Sequence, residues 1–249
     1  MRLFTIAAIS FVCAFSAMAE ELPAEKTAVA EEGTGAWSGN ADIGYSASDG
    51  NSETENLNFI GKIEYLKGLW THGLMLGAVR EDDNGTTKAE RYEAAYKVER
   101  ALSEVSYLFG NLEYERDEFG GVYERTSETV GYGRKLFDSE THRMEAEIGV
   151  GARQNELQDG TMEDDAIVRM GAAYERDISE SALFNQDLVV EAGEANTYAE
   201  AISALKLRIN GNLYAKLSYT VKHNDTVPAG TENTDTYTTV SLSYEFGKH

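Results

Sequence analysis

The sequence predicts an all-β protein, an antiparallel transmembrane β-barrel of the outer-membrane type with about twelve strands. Three observations indicate this fold class. Apolar and polar residues alternate with period two in one segment after another between residues 37 and 246. Each segment is near the ten residues that a tilted strand needs to cross a bilayer. Short and long connections alternate between the segments, as they do between the two rims of a barrel.

Residues 1–19 have the features of a secretory signal peptide and are left out of the fold. Arg2 gives a positive start, residues 3–15 are almost entirely apolar, and Ala17-Met18-Ala19 supplies the small-x-small cleavage pattern. This apolar stretch is too short for a membrane helix. We therefore expect export and cleavage after Ala19.

The strands of the predicted barrel domain lie within residues 37–246, after a small, charged and aperiodic stretch at 20–36 that predicts a flexible periplasmic lead-in. Alternation places one set of side chains on each face of a strand. The clear segments are 37–48, 57–65, 91–99, 143–153, 168–175, 213–222 and 238–246. Weaker segments fill the gaps at 72–80, 107–115, 126–136, 183–191 and 198–208.

The connections between these strands fall into two classes that alternate along the chain. The short ones are 67–68, 102–104, 138–141, 178–181 and 210–211, and the long ones are 81–90, 117–122, 155–165 and 224–233. In an antiparallel barrel this order places all short turns at one rim. Both chain termini then lie on the short-turn side, which is the periplasmic side of an outer-membrane barrel.

A secreted β-sandwich is the alternative fold, because its strands alternate as well. Two features favour the barrel. The polar face carries charges of both signs on nearly every strand, which suits a narrow polar interior. The apolar face has aromatic residues near strand ends, as in the girdles at membrane interfaces: Trp37, Tyr65, Trp70, Tyr174 and Tyr244.

The candidate functional surface is this polar face, which would line the lumen and could set its selectivity. The candidate lumen residues are Lys62, Glu64, Arg91, Glu93, Lys97, Glu99, Glu113, Glu115, Arg143, Glu145, Glu147, Arg153, Arg169, Lys206, Arg208 and Lys216. The same face also carries Asp42, Glu175, Glu200, Lys222 and Glu245. Burying an ion costs several kcal/mol unless it is paired or hydrated. The lumen is therefore either a wet, narrow channel for ions and small polar solutes or a barrel plugged by ion pairs.

Other functions find little support in the sequence. A formal charge of −21 argues against nucleic acid as a partner, and one Cys cannot form a disulfide framework or a cysteine-based zinc site. His223, next to Asn224 and Asp225, is the one place where a lipid-cleaving Ser–His pair could be built, but no nucleophile motif accompanies it. The acidic groups 81–83 and 163–165 are expected in external loops, either as solvated charge or as a site for divalent cations. We expect no enzymatic activity, no cofactor and no dedicated metal site.

Several stretches resemble the YdiY-like family of salt-induced outer membrane proteins, otherwise a domain of unknown function. The most specific is LFGNLEYERD at 108–117, and the others are 50–57, 70–72, 123–126, 131–134, 141–143 and 234–236. The resemblance implies an outer-membrane β-barrel whose expression is linked to salt stress, without catalytic residues or an established substrate. Tyr244 and Phe246 near the end of the last strand approximate the signal read by the barrel-insertion machinery, so this machinery and outer-membrane lipids are the expected partners. The oligomeric state stays open.

Overall fold

The computed structural model describes residues 35–48 and 54–247, which form a closed antiparallel barrel of twelve strands. This confirms the predicted fold class and strand number. The predicted signal peptide and nearly all of the predicted lead-in lie outside the described residues. The strands are β1 (Ala36–Ser48), β2 (Thr54–Lys67), β3 (Trp70–Asp83), β4 (Thr86–Ala101), β5 (Ser106–Asp117), β6 (Val122–Asp138), β7 (His142–Leu157), β8 (Met162–Ser179), β9 (Ala182–Ala192), β10 (Thr197–Asn210), β11 (Leu213–Asn224) and β12 (Thr234–Phe246).

Each strand pairs with its neighbours in the sequence, and β1 pairs with β12 to close the barrel. At this closing seam Asn40 lies opposite Glu245 and Ile43 lies opposite Leu242. Closure leaves no unpaired strand edge, so the backbone hydrogen-bonding groups are satisfied within the sheet. Within the part of the chain that the structure covers, no helix is long and apolar enough to cross a membrane.

The connection between β3 and β4 corrects the long loop predicted at 81–90. The two strands meet in a two-residue turn, Asn84-Gly85, in which both residues have positive φ, +49° and +71°. An Asn-Gly pair favours this conformation, because asparagine tolerates the left-handed region and glycine adopts it freely. The residues on either side, Glu81 and Ala89 among them, pair across the hairpin.

The loop predicted at 155–165 is likewise mostly strand. β7 continues to Leu157 and β8 begins at Met162, with Asn155 opposite Glu163 in the ladder. The acidic triplets at 81–83 and 163–165 therefore lie at strand ends. The longest described connection on this side is 225–233, between β11 and β12.

The outer surface of the barrel is apolar, the reverse of a soluble protein. Large side chains such as Ile148, Leu217 and Val240 are about half exposed or more, and Val240 reaches 69%. Aromatic rings line the short-turn rim, where Trp37 and Tyr65 lie 4.6 Å apart between ring centroids. This distribution matches a surface made for lipid, with an aromatic girdle at one interface.

Candidate functional site

The interior of the barrel is lined by the charged face of the strands. The pairing register places all sixteen candidate lumen residues on the inward-facing side of their strands, at positions that alternate with the exposed apolar side chains. Burial varies along the barrel: Arg91, Arg153 and Arg169 are buried, whereas Lys62, Glu64, Arg143 and Arg208 are exposed near the short-turn rim.

A cavity of about 610 Å³, here called the vestibule, occupies the short-turn end of the interior. Its lining residues come from the strand ends that adjoin the short turns, and several of them are exposed, so the vestibule opens to solvent at this rim. The charged residues in the lining are Lys62, Lys135, Arg143 and Lys206 on the basic side and Glu64, Asp138, Glu145, Glu175, Asp187 and Glu245 on the acidic side. Six carboxylates against four basic groups give this space a negative balance.

Two lysines near the vestibule form ion pairs that follow the wall. Lys206 Nζ lies 2.6 Å from Glu245 Oε1, and Lys216 Nζ lies 2.6 Å from Asp42 Oδ2. In both pairs the two residues are separated by a single intervening strand. Such pairs fix charge against the sheet and leave the centre of the lumen free.

Farther from the short-turn rim, ion pairs link strands up to three apart around the barrel. Glu147 on β7 accepts hydrogen bonds from Lys97 on β4, at 2.5 Å, and from Tyr107 on β5, at 2.8 Å. Arg169 on β8 donates to the other oxygen of Glu147 at 3.0 Å and lies 3.6 Å from Glu113 on β5. The Lys97–Glu147 and Arg169–Glu113 contacts join strands that are three apart around the barrel, whereas Arg169 and Glu147 lie on the neighbouring strands β8 and β7.

A smaller cavity of about 100 Å³, here called the inner chamber, lies above this level. It is lined by the carboxylates of Glu93, Glu113, Glu115 and Glu200 and by two basic groups, Arg125 and Lys222, together with Tyr198 and small or apolar side chains. The chamber therefore has more carboxylates than basic groups, as the vestibule does.

The ammonium group of Lys222 contacts three of the carboxylates that line the inner chamber. Its Nζ lies 2.7 Å from Glu93 Oε1, 2.9 Å from Glu115 Oε2 and 3.4 Å from Glu200 Oε2. Glu115 is on β5 and Lys222 is on β11, six strands apart in either direction around the barrel. The Lys222–Glu115 contact thus spans the bore from one wall to the other.

A buried polar network lies beyond the inner chamber, toward the end opposite the short turns. Arg153 is fully buried and lies 3.3 Å from Asp165 and 3.5 Å from Glu191. Asp165 also accepts hydrogen bonds from the backbone N–H groups of Ala195 and Asn196. Asp165, predicted to lie in an external loop as solvated charge or as a ligand for divalent cations, is instead a buried carboxylate held by the backbone.

The loops on this side pack against one another over the network. Asn196 donates to Asn224 Oδ1 at 2.9 Å and accepts from the backbone N–H of Thr226 at 3.1 Å, which fastens the β9–β10 loop to the β11–β12 loop. Gly121 in the β5–β6 loop packs so closely against Val227 that an added methyl would come within 3.3 Å of it. The interior is thus open at the short-turn rim and covered at the other.

Sequence reasoning missed the large inward-facing side chains. Tyr107, Phe109 and Tyr198 are buried inside the barrel, and the Arg125 guanidinium lies 4.0 Å from the centre of the Tyr198 ring. They lie an even number of residues from charged residues of the same strand, as Tyr107 and Phe109 do from Glu113 on β5, and therefore share the inward face. This spacing is the signal that could have identified them. Because these residues are aromatic, they were expected on the lipid-facing side instead.

The described part of the structure adds no catalytic or metal-binding partners to His223 or to the acidic triplet at 81–83. His223 faces outward, and its Nδ1 lies 2.8 Å from Thr234 Oγ1. Among residues 35–48 and 54–247 of the wild-type chain, no three His, Cys, Asp or Glu side chains are arranged as a metal site. Asp82 of the first acidic triplet pairs with Arg80 at 2.8 Å.

Comparison with known proteins gives one family and a set of similar barrels. The family described as "Protein of unknown function, DUF481" matches residues 41–246. The uncharacterized protein YdiY of Escherichia coli (strain K12) is 30% identical over 207 residues, which cover 83% of this chain and 82% of that protein. A NanC porin structure is 10% identical, with a TM-score of 0.52 over 84% of this chain and 100% of the porin chain. A KdgM porin structure is 7% identical, with a TM-score of 0.46 over 84% and 99% of the two chains.

Proposed function

The chain belongs to the DUF481 family of proteins of unknown function, and we propose that it is a narrow, charge-lined passive channel for ions or small polar solutes. Membership, with the similarity to YdiY, confirms the family resemblance in the sequence. The similarity to the NanC porin shows the fold. The name porin describes that protein, and its use for this chain is part of the proposal.

The vestibule is the observation that carries this function. It is a cavity of about 610 Å³ inside a barrel with an apolar outer surface, and ten charged side chains line it. Ions in such a space stay charged at low free-energy cost only if they are paired or hydrated, and an opening to solvent at the rim lets water enter this one. A water-filled, charge-lined space within a membrane barrel is the kind of structure that passes small polar solutes.

The proposed selectivity is for cations. Carboxylates outnumber basic groups by six to four in the vestibule and by four to two in the inner chamber. Low-dielectric walls focus the field of such a lining and raise the local concentration of the opposite charge. Lys222 crosses the bore at the inner chamber, so we propose a small conductance.

The proposed location is the outer membrane, with the short-turn rim toward the periplasm. The apolar outer surface and the aromatic rim support contact with lipid. Export through a cleaved signal peptide at 1–19, insertion by the barrel machinery and a role in salt stress are further parts of the proposal. They rest on sequence and on the family resemblance.

A plugged structural barrel is the second candidate function, and one specific observation favours it. The contact between Lys222 and Glu115 closes the bore, and the packed loops cover the same end. A lipid-modifying enzyme is not part of the proposal, because His223, its candidate base, contacts a threonine hydroxyl on the outer surface.

Conductance in planar lipid bilayers separates the two candidates. Residues 20–249 are refolded, and folding is checked first by heat-modifiable mobility on a detergent gel. The channel proposal predicts stable single-channel steps. The absence of current from protein that is demonstrably folded would contradict the channel and favour the plugged barrel.

A further inference from the structure

The ammonium group of Lys222 holds the position that a free cation would take on its way through the inner chamber. Three carboxylate oxygens from three different strands, β4, β5 and β10, surround it at 2.7–3.4 Å. The lysine side chain is 7% exposed. Within the described part of the chain, Lys222 is the only basic residue in ion-pair contact with Glu115 and Glu200.

We propose that Lys222 is a tethered cation that blocks the pathway, and that the site it fills accepts a free monovalent cation when the tether is removed. This inference rests on the proposed channel and names the residue that limits it. Lys222 spans the bore from the wall opposite Glu115, so its side chain obstructs the centre of the lumen. The lysine stem is a flexible four-carbon chain that carries three rotatable donors, which suits an ammonium group shared by three carboxylates.

The contact distances favour a weakly held monovalent cation over Ca²⁺. Calcium sites use six to eight oxygens at about 2.3–2.6 Å, whereas three carboxylates contact the ammonium here, at up to 3.4 Å. A loose site with few protein ligands leaves water on the ion. Conduction requires such weak binding, because an ion that enters must also be able to leave.

Lys216 supplies a matched control on the same strand. It is also an inward-facing lysine with an ion-pair partner, but it contacts the single carboxylate of Asp42, two strands away along the wall. Removing Lys216 leaves one carboxylate against the sheet and no cluster across the bore. The variants Lys222→Met and Lys216→Met therefore delete the same charge from two different geometries.

Cation-dependent stability tests the site without requiring any current. The thermal unfolding midpoint of the refolded chain in detergent is measured in KCl and in equimolar choline chloride. A ligand that binds only the folded state raises this midpoint. For Lys222→Met we expect KCl, but not choline chloride, to raise it by roughly 3–6 °C between 20 and 400 mM. The wild-type chain and Lys216→Met should respond equally to the two salts.

Equal responses of Lys222→Met to the two salts would overturn the proposal. Replacing Lys222 removes the ion-pair partner of Glu115 and Glu200, whereas Glu93 keeps Arg91 at 3.1 Å. If the variant fails to fold for this reason, the double variant Lys222→Met/Glu200→Gln removes one of the two carboxylates. It should keep a smaller preference for K⁺, and a complete absence of preference would overturn the proposal in the same way.

Conductance then separates this inference from the proposed function. We expect Lys222→Met to raise single-channel conductance severalfold over wild type, while Lys216→Met stays within a factor of two. If wild type conducts and Lys222→Met shows neither higher conductance nor stabilisation by K⁺, the proposed role of Lys222 is wrong, whereas the proposed channel function is supported. If K⁺ stabilises Lys222→Met but no form of the folded protein conducts, the proposed cation site is supported and the proposed channel function is wrong.

Discussion

Replacing Arg153 with methionine should destabilise the barrel more than any change to an ion pair near the rim. The Arg153 side chain has no exposed surface, and its two carboxylate partners, Asp165 and Glu191, are 5% and 1% exposed. The variant leaves both carboxylates buried without their cation. Breaking a buried pair in this way costs about 3–5 kcal/mol, because the remaining charge keeps its desolvation penalty.

Arg143→Met is the matched control, because Arg143 pairs with Glu175 while 46% of its own side chain is exposed. An exposed pair contributes about 0–1 kcal/mol. The free energy of unfolding can be followed in urea by the fluorescence of Trp37 and Trp70, the two tryptophans of the sequence, both at the short-turn rim. Losses below about 1 kcal/mol for both variants would refute the claim that the buried network holds this end of the barrel together.

Three further predictions test sidedness, pH dependence and packing. Leu217→Arg should block stable insertion, since an arginine on the lipid face costs about 2–4 kcal/mol at mid-membrane, whereas Ser218→Arg faces the lumen and should insert; equal yields of heat-modifiable protein would show that the register is wrong. A hydrogen bond from the backbone N–H of Thr197 lowers the pKa of Asp225, so its stabilising effect is present above the ordinary aspartate pKa of about 3.9 and is lost as the pH falls through the lowered value. The difference in unfolding midpoint between wild type and Asp225→Asn should accordingly shrink in acid, and a difference that stays constant with pH would contradict this role. Gly131→Ala should fold poorly in the same gel assay, because its methyl group would overlap the backbone oxygen of Ile148 on β7, and a normal folding yield would show that the strands can separate there.

The strand pattern could be predicted because a bilayer imposes it on each strand separately. Leu217 must face lipid and Ser218 must face the interior, whatever the other strands do, so alternation alone gives the sidedness. The ends of β3 and β8 were predicted wrongly because they carry polar residues on both faces. Such residues resemble loop residues in sequence, although they continue the ladder as far as Asn84-Gly85 in one case.

The contacts across the lumen could not be predicted from the sequence. The pairing of Lys222 with Glu115 depends on which strands face one another across the closed barrel and on the width of the bore. The alternation of polar and apolar residues along one strand determines neither which strands face each other nor how wide the bore is. The burial of Asp165 depends in the same way on the β9–β10 loop, whose backbone N–H groups bind it.

The reversal potential under a KCl gradient is the most direct test of a lumen that passes cations. In planar bilayers with the folded chain, we expect steady current with a reversal potential on the cation-selective side. Glu64→Gln in the vestibule should lower that selectivity, while Glu128→Gln, which removes the same charge from the outer face, should leave it unchanged. A folded barrel that carries no current, or one that reverses on the anion-selective side, would contradict the central claim.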